Sequence, residues 1–162
     1  MIRTAAVHDD NPEVHEAHRR GIPVFERTQA WGALMRGYPN ALCISGTHGK
    51  TTTTSMCTHI MMAAEKDPTV MIGGTLPLLH ACHRVGKGNT IIMESCEYYN
   101  SFLSLNPTIA VILNIEADHL DFFKDIEDIK HSFRLFAERV PAETGTVIAT
   151  VSYTHLRAHE TS

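Results

Sequence analysis

Leu42-Cys43-Ile44-Ser45-Gly46-Thr47-His48-Gly49-Lys50-Thr51 carries an apolar run into a Gly-x-x-Gly-Lys-Thr loop, with a helix expected from Lys50. Two glycines permit a sharp turn and bring backbone N–H groups close to phosphate oxygens, and a helix N-terminus adds partial positive charge. The spacing therefore reads as a phosphate cradle, in which Lys50 reaches the β/γ-phosphates of a nucleotide and Thr51 offers its hydroxyl to Mg²⁺. The strict template has a further glycine where this chain has Ile44, so the loop is a shortened relative of the standard one. At ordinary residue frequencies the hexapeptide arises by chance in roughly 0.3% of chains of this length, too seldom for composition to account for it.

Upstream, Asn11-Pro12-Glu13 opens a short helix over residues 11–20, closed by Gly21, and Ile22-Pro23-Val24-Phe25 reads as a brief strand. A second helix spans Arg27 to Arg36. Strand Ala41 to Ser45 leads into the loop, and the helix from Lys50 to about Glu65 places Met56, Ile60, Met61 and Ala64 on one apolar face. Its opening Thr51-Thr52-Thr53-Thr54 costs up to roughly 0.7 kcal/mol of helix propensity per residue. A functional constraint is expected where a local rule is broken, here a row of small hydroxyls at the phosphate end. Downstream, Thr69 to Ile72 is a short strand and Gly73-Gly74-Thr75 a flexible loop able to approach a ligand. Thr90–Met93 and Thr108–Leu113 are β-branched apolar runs of the kind buried on both faces of a parallel sheet. A helix starts near Asp125, with Ile126, Ile129, Phe133, Phe136, Ala137 and Val140 at helical spacing, and Thr146–Ala149 is a last strand. Alternating strands and helices predict an α/β fold with a doubly wound, mostly parallel sheet.

Composition narrows the function. The chain has 162 residues, 43% hydrophobic content and a formal net charge of −4, with its basic residues scattered, so nucleic acid is not an expected partner. No 18-residue apolar stretch and no signal sequence are visible, which excludes membrane insertion and predicts a cytoplasmic location. Cys43, Cys57, Cys82 and Cys96 lack metal or redox spacing and read as reduced thiols. His8, His15, His18, His155 and His159 lie in polar stretches and read as solvated.

In open parallel sheets ligands bind beyond the carboxyl ends of the strands. Three runs end there in reactive groups: the loop itself, Glu94 with Glu97 nearby, and Asn114-Ile115-Glu116-Ala117-Asp118-His119-Leu120-Asp121. Magnesium takes oxygen ligands and keeps several waters, so Thr51, Glu94 and the phosphates suffice for a first ion. His119 is placed to ligate a second cation or to orient the group being transferred.

Gly46-Thr47-His48-Gly49-Lys50-Thr51-Thr52-Thr53-Thr54, Glu94-Ser95-Cys96-Glu97-Tyr98-Tyr99-Asn100-Ser101-Phe102-Leu103 and the segment Asn114 to Asp121 together resemble the Mur ligases, over about residues 4–149. Within that family they look most like the branch that joins L-alanine to UDP-N-acetylmuramate. The resemblance implies ATP-dependent amide-bond synthesis in peptidoglycan assembly, through an acyl phosphate and with two Mg²⁺ ions. It places Gly46, Thr47, His48, Gly49, Lys50, Thr51, Thr52 and Asn114 on ATP, with Thr51, Glu94 and His119 on metal and Lys50, Glu94 and His119 in catalysis. It also places His48, Gly73, Gly74 and Glu97 toward the substrate. Many relatives carry Glu-x-Asp-Glu-Ser-Asp where this chain has Cys96 and Tyr98. Arg134 stands where some members carry a carbamylated lysine, which disfavours that mechanism here.

The family's three-domain plan implies that residues 1–38 are the end of the UDP-substrate-binding Rossmann-like domain and residues 39–150 part of the central ATP-binding domain, with its sheet incomplete. Val151 to Ser162 departs from the family pattern and reads as a non-native tail. Three functions are weighed: a piece of the alanine-adding ligase, a piece of the related ligase that recycles a murein tripeptide, and a truncated ATP-binding module that is inactive alone.

Overall fold

The apolar runs become neighbouring strands, and the glycine loop sits at the end of a central one. The computed structural model describes residues 1–4 and 6–150. The tail at 151–162, with His155 and His159, lies outside the described residues. In chain order the elements are β1 (Ile2–Arg3), α1 (Pro12–Arg19), β2 (Phe25–Glu26), α2 (Arg27–Met35), β3 (Asn40–Ser45), α3 (Lys50–Ala63), β4 (Thr69–Leu76), β5 (Ala81–Arg84), β6 (Thr90–Glu94), a 3₁₀ segment (Tyr98–Ser104), β7 (Ile109–Ile112), α4 (Ile126–Ala137) and β8 (Thr146–Ala149).

Six strands form one sheet in the order β5-β4-β6-β3-β7-β8, parallel throughout except for the β4/β5 pair. Side chains alternate across it. Ala41, Cys43, Ile91, Met93, Ala110 and Ile112 face a core with Phe102, Phe133 and Phe136, supplied by the 3₁₀ segment and α4. Ile44, Val70, Ile72 and Ile92 face the opposite side, where Cys57 and Met61 of α3 cover them. Both faces are therefore wound, as the continuously apolar strands require. Asp125 caps α4 by accepting from the N–H groups of Glu127 and Asp128, both at 3.0 Å.

Three expectations are corrected. The strand read at 22–25 is a two-residue β2 at 25–26, paired in parallel with β1. Its position is set by distant partners: the Pro23 carbonyl accepts from the Met1 amino group at 2.7 Å, and Phe25 N–H donates to Met1 O at 3.0 Å. Gly73-Gly74-Thr75, read as a loop, lies inside β4. There β4 forms an antiparallel hairpin with β5 whose register shifts between Met71 and Leu76, the kind of irregularity that strand glycines accompany. The buried face of α3 is rotated from the one expected: Met61 packs on the sheet, but Met56 is 58% exposed and Ile60 64% exposed. Thr54 and Thr58 are fully buried instead. Their hydroxyls donate to the carbonyls of Lys50 and Thr54 at 2.8 Å, which removes the cost of burying them and lets a slim helix lie close to the sheet. The 3₁₀ segment has no counterpart among the expected elements. Two of its residues, Tyr99 and Asn100, have left-handed backbones (φ 53° and 54°) that periodicity does not reveal.

Candidate active site

Each candidate group leaves the carboxyl edge of the sheet. The loop after β3 turns through Gly46 (φ +139°) and Gly49 (φ +83°), conformations that only glycine adopts freely. A Cβ on Gly46 would stand 3.0 Å from Leu113 Cβ and 3.2 Å from the Asn114 backbone, so the segment leaving β7 crowds the loop on that side. Asn114 straps the loop down. Its carbonyl accepts from Thr47 N–H at 3.1 Å, its Oδ1 accepts from His48 N–H at 2.8 Å, and its Nδ2 donates to His48 O at 3.0 Å. Thr47 Oγ1 accepts from Glu116 N–H at 2.9 Å. The Thr47 and His48 amides are thus spent on Asn114, just past β7. Gly49 caps α3 without a side-chain bond, and the first-turn N–H groups of a helix have no intrahelical acceptor, so the free donors sit at the α3 start.

Two pairs of side chains meet over this loop. In the first, Thr51 Oγ1 donates to Glu94 Oε1 at 3.0 Å, while Glu94 Oε2 accepts from Gly73 N–H at 2.7 Å. A Cβ on Gly73 would fall 2.6 Å from Glu94 Oε1, so only glycine lets this carboxylate lie against β4. Gly74 is also adjacent, with a built Cβ 3.5 Å from Thr51 Cγ2. Thr52 is exposed one position further along α3. In the second pair, Lys50 Nζ donates to Gly46 O at 2.6 Å, to Thr47 O at 3.1 Å and to Glu97 at 3.1 Å. The Glu97 side chain is only 3% exposed. His119, left-handed at φ 51°, brings Nε2 to 3.9 Å from both Glu97 Oε1 and Asp118 Oδ2. His48 lies apart from these, with Nε2 3.6 Å from Glu116 Oε2 on the exposed side of the loop.

The first pair suits a magnesium ion, because oxygens bound at 2.0–2.1 Å on adjacent octahedral corners stand about 2.9 Å apart. Among the described residues no group of three His, Cys, Asp or Glu side chains could hold a metal alone, so phosphate and water would complete any coordination. Residues that sequence reasoning missed stand beside these pairs. Buried Ser45 donates to Val111 O at 2.8 Å and ties the loop's root to β7. The Tyr98 ring stacks on His119 at 4.3 Å, and its hydroxyl donates to Asp121 at 2.5 Å, a bond that raises the phenol's pKa well above its ordinary value. The departure from the family pattern at position 98 was the signal that could have found it.

A cleft of about 150 Å³ opens beside Glu94 and Gly73, bordered by Arg27, Trp31, Cys96 and Phe102. Among the described residues no helix is long and apolar enough to cross a membrane.

Residues 44–161 match the Mur ligase middle domain, and residues 2–39 match the Mur ligase family catalytic domain. The chain is 53% identical over 148 residues to the UDP-N-acetylmuramate–L-alanine ligase of Lachnospira eligens, covering 91% of this chain and 32% of that protein. It is 50% identical over 149 residues to the enzyme of the same name from Acetivibrio thermocellus, covering 92% and 32%. The chain thus spans about a third of the length of these relatives. Among solved structures, it superposes with a TM-score of 0.80 at 28% identity on UDP-N-acetylmuramate-alanine ligase MurC from Thermotoga maritima, covering 96% of this chain and 36% of that one. The TM-score is also 0.80, at 25% identity, with the UDP-N-acetylmuramate:L-alanyl-gamma-D-glutamyl-meso-diaminopimelate ligase from Neisseria meningitides, covering 93% and 52%. A middle-domain match that takes in the glycine loop, Glu94 and His119 leaves one conclusion: the chain belongs to the Mur ligase family.

Proposed function

We propose that this chain is part of an ATP-dependent ligase that joins L-alanine to UDP-N-acetylmuramate in peptidoglycan assembly. The observation that carries the nucleotide half of this reading is the 3.0 Å contact of Thr51 with Glu94 at the start of α3, beside Lys50. About 50% identity to enzymes named for that reaction supports the substrate half. Residues 1–38 then belong to the sugar-nucleotide domain and residues 39–150 to the ATP-binding domain. The enzyme acts in the cytoplasm on small molecules, without nucleic acid or membrane insertion.

In this reading the sugar-nucleotide carboxylate attacks the γ-phosphorus of ATP, ADP leaves, and an acyl phosphate results. The alanine amine then attacks the acyl carbon and phosphate departs. Lys50 neutralises charge on the β/γ-phosphates, and the α3 N-terminus supplies N–H donors to them. Thr51 and Glu94 would hold Mg²⁺, which when bound offsets phosphate charge, and His119 would hold a second ion. Glu97 keeps Lys50 at the loop, and Asn114 keeps the loop's shape. Gly73, Gly74 and His48 lie toward the sugar nucleotide.

The test is phosphate release by the complete ligase, which should require L-alanine and UDP-N-acetylmuramate together. Preference for a murein tripeptide over L-alanine would move the assignment to the recycling ligase. Positioning and domain closure supply much of the rate in such chemistry, so the 162-residue chain alone should show no alanine-dependent ATP hydrolysis above a Lys50→Ala control.

A further inference from the structure

His119 carries more of the proposed chemistry than its own backbone is built to hold. It sits in an exposed stretch after β7, in a left-handed conformation unfavourable for a residue with a Cβ. Its Nε2 is 3.9 Å from Glu97 and from Asp118, beyond hydrogen-bonding distance, so neither carboxylate fixes the plane of its ring. A histidine χ2 is broad and roughly two-fold, and that plane needs a separate constraint.

Tyr98 supplies that constraint. Its ring lies nearly parallel to the imidazole, with centroids 4.3 Å apart and planes at 24°. The ring is anchored in turn, because its hydroxyl donates to Asp121 Oδ2 at 2.5 Å and Phe122 meets it edge-on at 6.1 Å. The His119 carbonyl accepts from the N–H groups of Phe122 and Phe123, both at 2.9 Å, which closes the turn on the far side. Tyr98 therefore clamps the loop at two points, His119 by stacking and Asp121 by hydrogen bonding. Its neighbour Glu97 is the buried carboxylate bonded to Lys50. The segment 97–98 thus holds the lysine with one side chain and sets the histidine's plane with the next.

We infer that Tyr98 is a positioning residue for His119, fixing the imidazole so that Nε2 faces the Lys50–Glu97 pair. The inference rests on the reading of His119 as a working group of the ligase.

The experiment uses the complete ligase labelled with ¹³C-histidine, with the His119 Hε1 signal assigned by its loss in His119→Gln. Ring current from Tyr98 should hold that signal upfield without any nucleotide or metal. Tyr98→Phe keeps the ring and loses its anchor, so the signal should lie between its wild-type position and that in Tyr98→Leu. Tyr98→Leu should move the signal downfield and lower kcat by about tenfold or more, with KM for ATP changed less than about twofold, as expected when geometry and not ground-state binding is lost. An unmoved signal in Tyr98→Leu, or a moved signal with kcat intact, overturns the inference. If Tyr98→Leu fails to fold, Asp121→Asn retains Tyr98 and loosens its ring by weakening the anchor. A downfield shift with reduced kcat there supports the clamp, and no change in either overturns it. Full kcat in His119→Gln would instead sink the reading of His119 itself, whatever Tyr98 does.

Discussion

Lys50 Nζ and Glu97 Oε2 stand 3.1 Å apart, the lysine side chain 15% exposed and the carboxylate 3% exposed. Such a pair is asymmetric. Lys50 keeps two carbonyl acceptors if Glu97 is neutralised, whereas Glu97 loses its nearest cation if Lys50 is removed. Glu97→Gln should therefore cost about 1–3 kcal/mol of stability. Lys50→Met should cost about 3–5 kcal/mol, because a nearly buried charge is left uncompensated. Combining the two should recover part of the loss. Urea denaturation of the 162-residue chain and the three variants closes this double-mutant cycle, and strictly additive costs would show that the two charges do not couple.

Gly73 makes a separate prediction, about catalysis more than folding. A Cβ there would lie 2.6 Å and 3.0 Å from the two oxygens of Glu94, so Gly73→Ala must push the carboxylate away from Thr51. Gly73 itself is exposed, and little core packing is at stake. In the complete ligase Gly73→Ala should lower kcat by about 10²-fold, the scale of an ångström-sized misplacement. Thermal unfolding should move by no more than a few degrees, the effect of about 1 kcal/mol. Normal turnover in Gly73→Ala would mean that Glu94 need not stay where it is found.

These two sites mark how far local pattern could be read. β3, β6 and β7 are legible because they are buried on both faces, so each is a continuous apolar run whose end can be located. That Thr51 and Glu94 meet follows from strand ends alone, since β3 and β6 are parallel neighbours. Gly73 reads as loop because two glycines erase alternation, and the β4/β5 hairpin that contains it depends on pairing with residues 81–84. The buried face of α3 is only partly legible, through Met61, because hydropathy also favours Met56 and Ile60 over Thr54 and Thr58. A threonine that returns its hydroxyl to the helix's own carbonyl buries as a small apolar group. Glu97 beside Lys50 and Tyr98 beside His119 were out of reach for another reason. The left-handed turn at Tyr99 and Asn100 decides where those side chains point, and no periodicity records it.

Cys43 supplies a prediction whose sign comes from burial. It lies on β3 with no exposure, and removal from water pushes its thiol up to about 12 from an ordinary 9.0, against a small opposing pull from Ser95. A thiol held protonated in the folded state loses its proton more readily once unfolded. The unfolded chain therefore binds fewer protons above pH 9.0, and unfolding becomes easier as pH rises toward 12, by up to about 1.4 kcal/mol per pH unit. Below pH 9.0 the contribution is fully present. Denaturation midpoints of the 162-residue chain should fall over that window, and Cys43→Ala should flatten the part of the slope that Cys43 supplies. Thiol labelling provides the companion measurement. At pH 8 iodoacetamide should modify surface Cys96 in the folded chain, though slowly because partial burial raises its thiol, and reach Cys43 only after unfolding. Equal labelling of Cys43 and Cys96 in the folded chain would contradict the burial on which the pH slope depends.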